Sequence, residues 1–213
     1  MNSMKLNRLR GLLEHISQLD KPDPALEQYF TPPDIAAGIL YNAAMCGDIE
    51  GRKVADLGCG SGVFSIGACL LGAESVTGID VGQNAVSKAK ENAERLLSRE
   101  QLMRISFHRL NVLEFEGTYD TVFQNPPFGS QTRNADIPFL RKALEIGTTV
   151  YTMHLRSTDR FIRQKIGEFG GRIEAASEIT YRMPRTFPFH THDRQMFRLI
   201  LYKAVNINKL RDR

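Results

Sequence analysis

Metal-binding cysteine pairs and a membrane-length apolar run are missing from this sequence, and a cleavable leader is not expected. Its three cysteines, Cys46, Cys59 and Cys69, form no CxxC pair and have no histidine nearby at zinc spacing, so no metal site is expected. An odd, sparse set fits a reducing cytoplasm rather than a disulfide framework, and Cys46 and Cys69 are expected as small buried hydrophobes. No apolar run nears the ~20 residues that span a bilayer, so no membrane partner is expected. The opening segment, MNSMKLNRLRGLLEHISQL, holds neither an apolar h-region nor a small-residue cleavage site, which predicts no signal peptide. Leu6, Leu9, Leu13, Ile16 and Leu19 instead mark an amphipathic helix. Repeats and low-complexity linkers are absent as well.

What remains is a globular composition. The 213 residues are 42% hydrophobic and 24% charged, enough to bury one core of ordinary size. The formal net charge of +4 permits a polyanionic partner without requiring one.

Strands and helices alternate along most of the chain. Strands are expected at 53–58, 75–80, 104–110, 119–125 and 148–155, with helices at 62–72, 81–97, 136–147 and 157–170. A further helix opens at Pro32 and Pro33. This order predicts an α/β fold with a doubly wound, mostly parallel sheet. Two β segments, 172–183 and 195–204, close the chain with no helix between them. They predict a C-terminal antiparallel hairpin, seven strands in all, whose connection 184–194 hangs at the carboxyl edge where ligands of such sheets bind.

Two motifs fall on that edge. The first, VADLGCGSGVFS, follows the first strand and opens a helix. Gly58, Gly60 and Gly62 allow a tight turn and close backbone approach, and the helix N-terminus offers N–H groups to an anion. Asp80 closes the second strand, where a carboxylate can hold the hydroxyls of a ribose. A nucleoside-containing cofactor is therefore expected. Val63 stands where the dinucleotide fingerprint wants its last glycine, which puts a nicotinamide dehydrogenase last among the readings. The GxGxG spacing after an acidic residue resembles the S-adenosylmethionine loop of class I methyltransferases. That resemblance implies Asp56 at the methionine end of the cofactor, Asp80 at the ribose, and Asn111 with the Val112 backbone at the adenine.

The second motif is QNPPFG at the end of the fourth strand. Pro126 and Pro127 keep the preceding residues out of helix and remove two N–H donors. The Asn125 side chain and the Pro126 carbonyl then offer two acceptors side by side, suited to an exocyclic amine with two protons to donate. The amino group of adenine is a poor nucleophile because its lone pair is delocalised. Accepting both protons draws the nitrogen toward tetrahedral geometry and aims that lone pair at a methyl donor, so alignment and electrostatics can replace a strong base. Phe128 can stack on the base, a contact worth ~1–3 kcal/mol. As a bare tetrapeptide NPPF is an ordinary proline turn; its position beside a cofactor loop gives it the chemical reading.

Together these motifs resemble the amino-methyltransferases with an (N/D)PP(F/Y) signature. More narrowly, LEQYFTPPDIAAGIL, ADLGCGSGVFSIG, GID, NPPFGS, FLRKALE, VYTMH and FPFH resemble the small-subunit ribosomal RNA adenine-N6 methyltransferases of the methyltransferase-like-five group. The resemblance implies a single Rossmann-like domain over 1–213, with residues 1–46 as a helical cap and cofactor-closing segment. It implies Gln28 and Thr31 closing over S-adenosylmethionine beside Gly58, Ser61 and Val63, and Asn125 to Phe128 holding the adenine. In the late loop, Phe189 and His190 would pack over substrate while Arg185 and Arg194 meet phosphates; a solvated loop with an anchoring aromatic is the competing reading. The third strand is expected at a sheet edge, with Ile105 and Phe107 on one face. Resemblance to the family implies that a small zinc-ribbon activator binds there, forming a heterodimer. Two other acceptors stay open: a glutamine N5 of a release factor, or guanine N2. A catalytically silent RNA-binding subunit is the non-enzyme alternative.

Overall fold

A computed structural model of the chain describes residues 4–20, 22–23, 27, 30–128, 134–184 and 194–210. Seven strands form one sheet in the order β3-β2-β1-β4-β5-β7-β6. They are β1 (Lys53–Leu57), β2 (Ser75–Asp80), β3 (Ile105–Arg109), β4 (Tyr119–Gln124), β5 (Gly147–Leu155), β6 (Gly171–Pro184) and β7 (Arg194–Asn206). The first five run parallel and β7 inserts antiparallel between β5 and β6, as the alternation of elements predicted. The helices are α1 (Leu6–Leu13), α2 (Pro33–Met45), α3 (Val63–Leu70), α4 (Gln83–Leu96), α5 (Arg99–Leu102), α6 (Asp136–Ile146), α7 (Asp159–Glu168) and α8 (Ile207–Leu210).

Each face of the sheet buries its own core. On one face α1, α2, α3 and α4 cover Val54, Val76, Phe123, Tyr151 and Met153. The rings of Phe64, Phe123 and Tyr151 stack there at centroid distances of 5.6 and 5.1 Å. On the other face α6 and α7 cover Leu57, Val122, Val150 and Tyr202. Because strand residues alternate between faces, consecutive residues at a strand end serve different layers. That fact governs the site below.

Three expectations change. The first helix stops at Leu13, and Ile16 is buried beyond it through a turn in which its N–H donates to the Leu13 carbonyl. Apolar spacing persisted there because burial, not helix, set it. Cys46 sits exposed at the C-terminus of α2, whereas Cys59 and Cys69 are buried; all three are free thiols. The short α5 was not expected, although Ser98 and Gln101 form a capping box at its start.

The hairpin overhangs the sheet. Pairing of β7 with β5 begins at Leu199 opposite Leu155, while β7 itself begins at Arg194 opposite Pro184. At strand rise this carries β6 and β7 roughly 17 Å past the end of β5, above the carboxyl edge. Among the described residues, no helix is long and apolar enough to cross a membrane.

Candidate active site

Register assembles the site. Leu57 of β1 pairs with Ile79 of β2 on one side and Gln124 of β4 on the other. The next residues, Gly58, Asp80 and Asn125, therefore emerge in a row at the carboxyl edge. The strand order reverses between β1 and β4, which is the crevice where open α/β sheets bind ligands.

The glycine loop requires glycine. Gly58, Gly60 and Gly62 have φ of 72°, 53° and 88°, a region closed to most L-residues. The Gly58 and Cys59 N–H groups both donate to the Ile79 carbonyl, at 2.9 and 2.8 Å. Asp80 ties the loop from the side: its Oδ2 accepts from Gly60 N at 3.0 Å and its Oδ1 from Gly82 N at 2.8 Å. Burial raises the Asp80 carboxyl above the ordinary aspartate range, opposed by the N–H groups of Gly82, Gly60 and Val81. A Cβ built on Gly60 meets nothing within 4 Å, so open space lies over the middle of the loop.

Asp56 is turned inward. It is 1% exposed, and its Oδ2 accepts from Ser65 N at 3.0 Å and Ser65 Oγ at 2.6 Å. Its carboxyl thus anchors the first turn of α3, leaving the Val63 and Phe64 N–H groups, which have no intrahelical acceptor, to an outside anion. Burial pushes the Asp56 pKa up to about 7, with Ser65 opposing and the Asp80 charge adding to the rise. Ser61 and Val63 are buried at 5% exposure each. The Ser61 carbonyl accepts from Asn92 Nδ2 at 3.0 Å, and the same amide also bonds the Ser17 backbone at both N–H and C=O. Asn92 so fastens the N-terminal segment to the glycine loop.

The acceptor side is built differently. Asn125 Nδ2 donates to Thr31 Oγ1 at 3.0 Å, and Asn125 Oδ1 is buried with no hydrogen-bond partner among the described residues. Thr31, expected over the cofactor, places its hydroxyl on Asn125 of the turn after β4. Pro126 is buried and Pro127 half-buried. Phe128 is half-buried and packs against the α2–α3 core. One residue earlier, Gln124 Nε2 donates to Thr152 Oγ1 at 2.9 Å, and Gln124 Oε1 is likewise buried without a partner among the described residues.

Asn111 stands exposed after β3 with its Oδ1 accepting from Leu113 N at 3.0 Å, which leaves its NH2 and the second lone pair of that oxygen for a ligand. Val112, at 8% exposure, opens a single 3-10 turn there. Gln28, Arg185, Phe189 and His190 lie outside the described residues, and Arg194 is described in its backbone alone, paired with Pro184. β3 is an edge strand as expected, with Ile105 half-buried. Phe107 is not available at that edge: at 6% exposure its ring fills the space above Gly78, where an added Cβ would lie 2.7 Å away. Among the described residues no His, Cys, Asp and Glu cluster could hold a metal ion.

Sequence reasoning missed Ser65, Asn92, Gln124, Thr152, His154 and Asp136. Asn92 left a trace, being a polar residue on the otherwise apolar stripe of Ala85, Val86, Ala89 and Ala93. His154 left another, at the end of a buried strand.

This strand order, with a glycine loop after β1, an acidic residue closing β2 and an asparagine–proline turn after β4, defines the class I, Rossmann-like methyltransferases. The chain is 36% identical over 194 residues to the rRNA N(6)-adenosine-methyltransferase Mettl5 of Drosophila melanogaster, across 89% of this chain and 91% of that protein. It is 35% identical over 194 residues to METTL5 of Danio rerio, across 88% and 92%. It belongs to this family of rRNA N6-adenosine methyltransferases. The crystal structure of a provisionally assigned RNA methyltransferase from Pyrococcus horikoshii superposes with a TM-score of 0.87 at 35% identity, covering 96% of this chain and 98% of that one. The family model of ribosomal protein L11 methyltransferase matches residues 42–125, from within α2 to the residue after β4.

Proposed function

We propose that this chain methylates N6 of an adenine in small-subunit ribosomal RNA, using S-adenosylmethionine. The observation that carries the reading is the Asn125 carbonyl oxygen, buried and without a partner among the described residues, one strand away from the glycine loop. An orphaned buried acceptor costs about 1–3 kcal/mol, and an entering N–H donor removes that cost. The family's named activity on rRNA adenosine supplies a donor of this kind, the exocyclic amine.

Bound S-adenosylmethionine supplies an electrophilic sulfonium methyl. The first turn of α3, with Gly58, Gly60, Ser61 and Val63, holds the methionine carboxylate, and Asp56 keeps that turn in place. Asp80 receives the ribose hydroxyls on lone pairs left by Gly60 and Gly82. Asn111 and Val112 meet the cofactor adenine, and Gln28 closes the cover. On the acceptor side Asn125 Oδ1 and the Pro126 carbonyl take the two amine protons of the target base, while Pro127 stiffens the turn and Phe128 stacks on the ring. The amine nitrogen would become acidic only on gaining the methyl, and its proton would then pass to water, so no strong base is needed. A single-stranded or unpaired adenine reaches this site without the cost of flipping from a duplex.

RNA beyond the target base meets the overhanging hairpin, with Arg185 and Arg194 on phosphates and Phe189 and His190 over the substrate. A small zinc-ribbon protein adds to the β3 edge through backbone pairing near Ile105. Among the described residues β3 pairs on one side only, and edges of this kind recruit strands. The match to the L11 methyltransferase model covers the glycine loop and Asp80 and stops at Asn125, before Pro126 to Phe128.

The experiment is transfer of labelled methyl from S-adenosylmethionine to purified small-subunit RNA, to a release factor and to ribosomal protein L11. Wild type and Asn125→Ala are compared with and without the zinc-ribbon protein, and nucleosides are read by mass spectrometry. N6-methyladenosine formed by wild type and lost in the variant is expected. Label in either protein, with none in RNA, overturns the adenine reading.

A further inference from the structure

A buried chain of hydrogen bonds links the end of β4 to the start of α6. Gln124 Nε2 lies 2.9 Å from Thr152 Oγ1, Thr152 Oγ1 2.8 Å from His154 Nε2, and His154 Nδ1 2.8 Å from Asp136 Oδ2. Gln124 is the last residue of β4 and Asp136 the first of α6. The segment between them carries the Asn-Pro-Pro-Phe turn. Exposures are 1% for Gln124, 0% for Thr152, 1% for His154 and 8% for Asp136. Thr152 and His154 are alternate residues of β5, so both face the α6 layer.

One set of donors satisfies the whole chain. With His154 Nδ1 donating to Asp136 Oδ2, its Nε2 presents a lone pair. The single Thr152 hydroxyl proton then goes to Nε2, and the Thr152 oxygen accepts from Gln124. This arrangement fixes the Gln124 amide with its NH2 toward β5. Asn125 is fixed in the same sense on the opposite face, its NH2 on Thr31. Two successive side chains at one strand end are thus oriented by threonine hydroxyls from two different layers.

The same helix reaches the cofactor side. Phe139 of α6 lies against Gly58, where an added Cβ would stand 3.2 Å from its ring. Asp136 and Phe139, three residues apart, therefore tie one helix to both loops of the site.

We propose that Gln124, Thr152, His154 and Asp136 form a positioning clamp that sets the acceptor loop against the cofactor loop. The proposal rests on the reading of residues 125–128 as the acceptor turn. In this role the four act through Asn125 and through α6, as positioning residues. A methyl transfer that relies on alignment is sensitive to this setting, since a displacement of roughly 1 Å costs about 10²-fold in rate.

The test pairs Thr152→Val, which keeps the volume and removes the hydroxyl, with Thr152→Ser, which restores it. Asp136→Ala breaks the chain at its more exposed end and serves if Thr152→Val fails to fold. For each, kcat and KM are measured with whichever acceptor wild type methylates, alongside the Kd for S-adenosylmethionine and amide hydrogen exchange across 125–135. The clamp predicts a kcat lower by about 10-fold or more, a cofactor Kd within about twofold, faster exchange in 125–135, and recovery in Thr152→Ser. Unchanged kcat and exchange in a folded Thr152→Val overturn it. So does a loss of cofactor affinity in parallel with kcat, which marks general loosening. The exchange readout needs no acceptor, so a wild type that methylates protein instead of adenine overturns the acceptor chemistry and leaves the clamp separately decided.

Discussion

The amide nitrogen of Asn125 donates to the hydroxyl of Thr31 across a sequence separation of 94 residues. This bond decides which end of the amide faces the site. With the NH2 held by Thr31, the carbonyl oxygen is left to accept. Thr31→Val frees the amide to rotate, and a neutral hydrogen bond of ~0.5–1.5 kcal/mol translates to a rate lower by roughly 3–10-fold. Thr31→Ser should stay near wild type, and Asn125→Ala should lose at least about 10²-fold, as loss of one aligned polar group does elsewhere. Single-turnover rates on RNA check the series; equal rates for Thr31→Val and wild type would dismiss the orienting role.

Gly60 and Gly62 separate ligand space from packing space. An alanine at Gly62 brings its Cβ within 3.2 Å of Ala89 Cβ and 3.4 Å of both Ile66 and Phe107 at φ of 88°, so the fold is expected to weaken by about 1–2 kcal/mol or more. At Gly60 the added Cβ meets no protein atom within 4 Å. Gly60→Ala therefore carries the positive-φ cost of about 1–2 kcal/mol without the added clashes of Gly62→Ala, and loses cofactor affinity. Thermal melts and calorimetric titration with S-adenosylmethionine distinguish the two; full affinity in Gly60→Ala would place the cofactor elsewhere.

Asp80 holds the Gly60 and Gly82 N–H groups and, in the proposed complex, the ribose. Charge-assisted hydrogen bonds are worth ~1.5–3 kcal/mol each, so Asp80→Ala should raise the cofactor Kd by about 100-fold or more. Asp80→Asn keeps one acceptor oxygen and should fall between. An unchanged Kd in Asp80→Ala is the contrary result.

The buried Asp56 makes stability depend on pH. Its folded pKa of about 7 exceeds the ordinary value of 3.8, so the folded state binds this proton more tightly than the unfolded chain. As pH rises from 3.8 to about 7, Asp56 removes stability at up to about 1.4 kcal/mol per unit, and above that window its effect is constant. Asp56→Asn abolishes this contribution. Melting curves of the two proteins should therefore diverge between pH 4 and pH 7, with the variant gaining relative to wild type as pH rises. Parallel curves would show that Asp56 ionises normally.

Asn92 joins Ser17 to Ser61 through three backbone hydrogen bonds at 1% exposure. Asn92→Ala strands those backbone groups and should cost about 2–4 kcal/mol. Because Ser61 is in the glycine loop, cofactor affinity should fall too. A variant that melts early yet binds cofactor normally would confine Asn92 to the cap.

The sheet, the glycine turn and the proline turn were legible because each is written in a few consecutive residues. Alternating apolar runs gave five parallel strands and a closing hairpin. Gly58, Gly60 and Gly62 announced a loop needing positive φ, and Asn125-Pro126-Pro127 a turn with free acceptors. Chemistry on that scale depends on neighbours in sequence, and local steric rules suffice to read it.

What the sequence did not determine is how distant side chains settle their hydrogen bonds. Nothing near Thr31 points to Asn125, nothing near His154 points to Asp136, and Phe107 reads as an edge residue until Gly78 is seen beneath it. These pairings depend on strand register, on which face each residue takes and on the helix packed above. An amide or an imidazole satisfies its donors and acceptors with whatever the folded chain brings within about 3 Å. Sequence determined which groups the protein has; only the tertiary structure decided which of them are used up in holding the fold and which oxygen is left to receive a ligand.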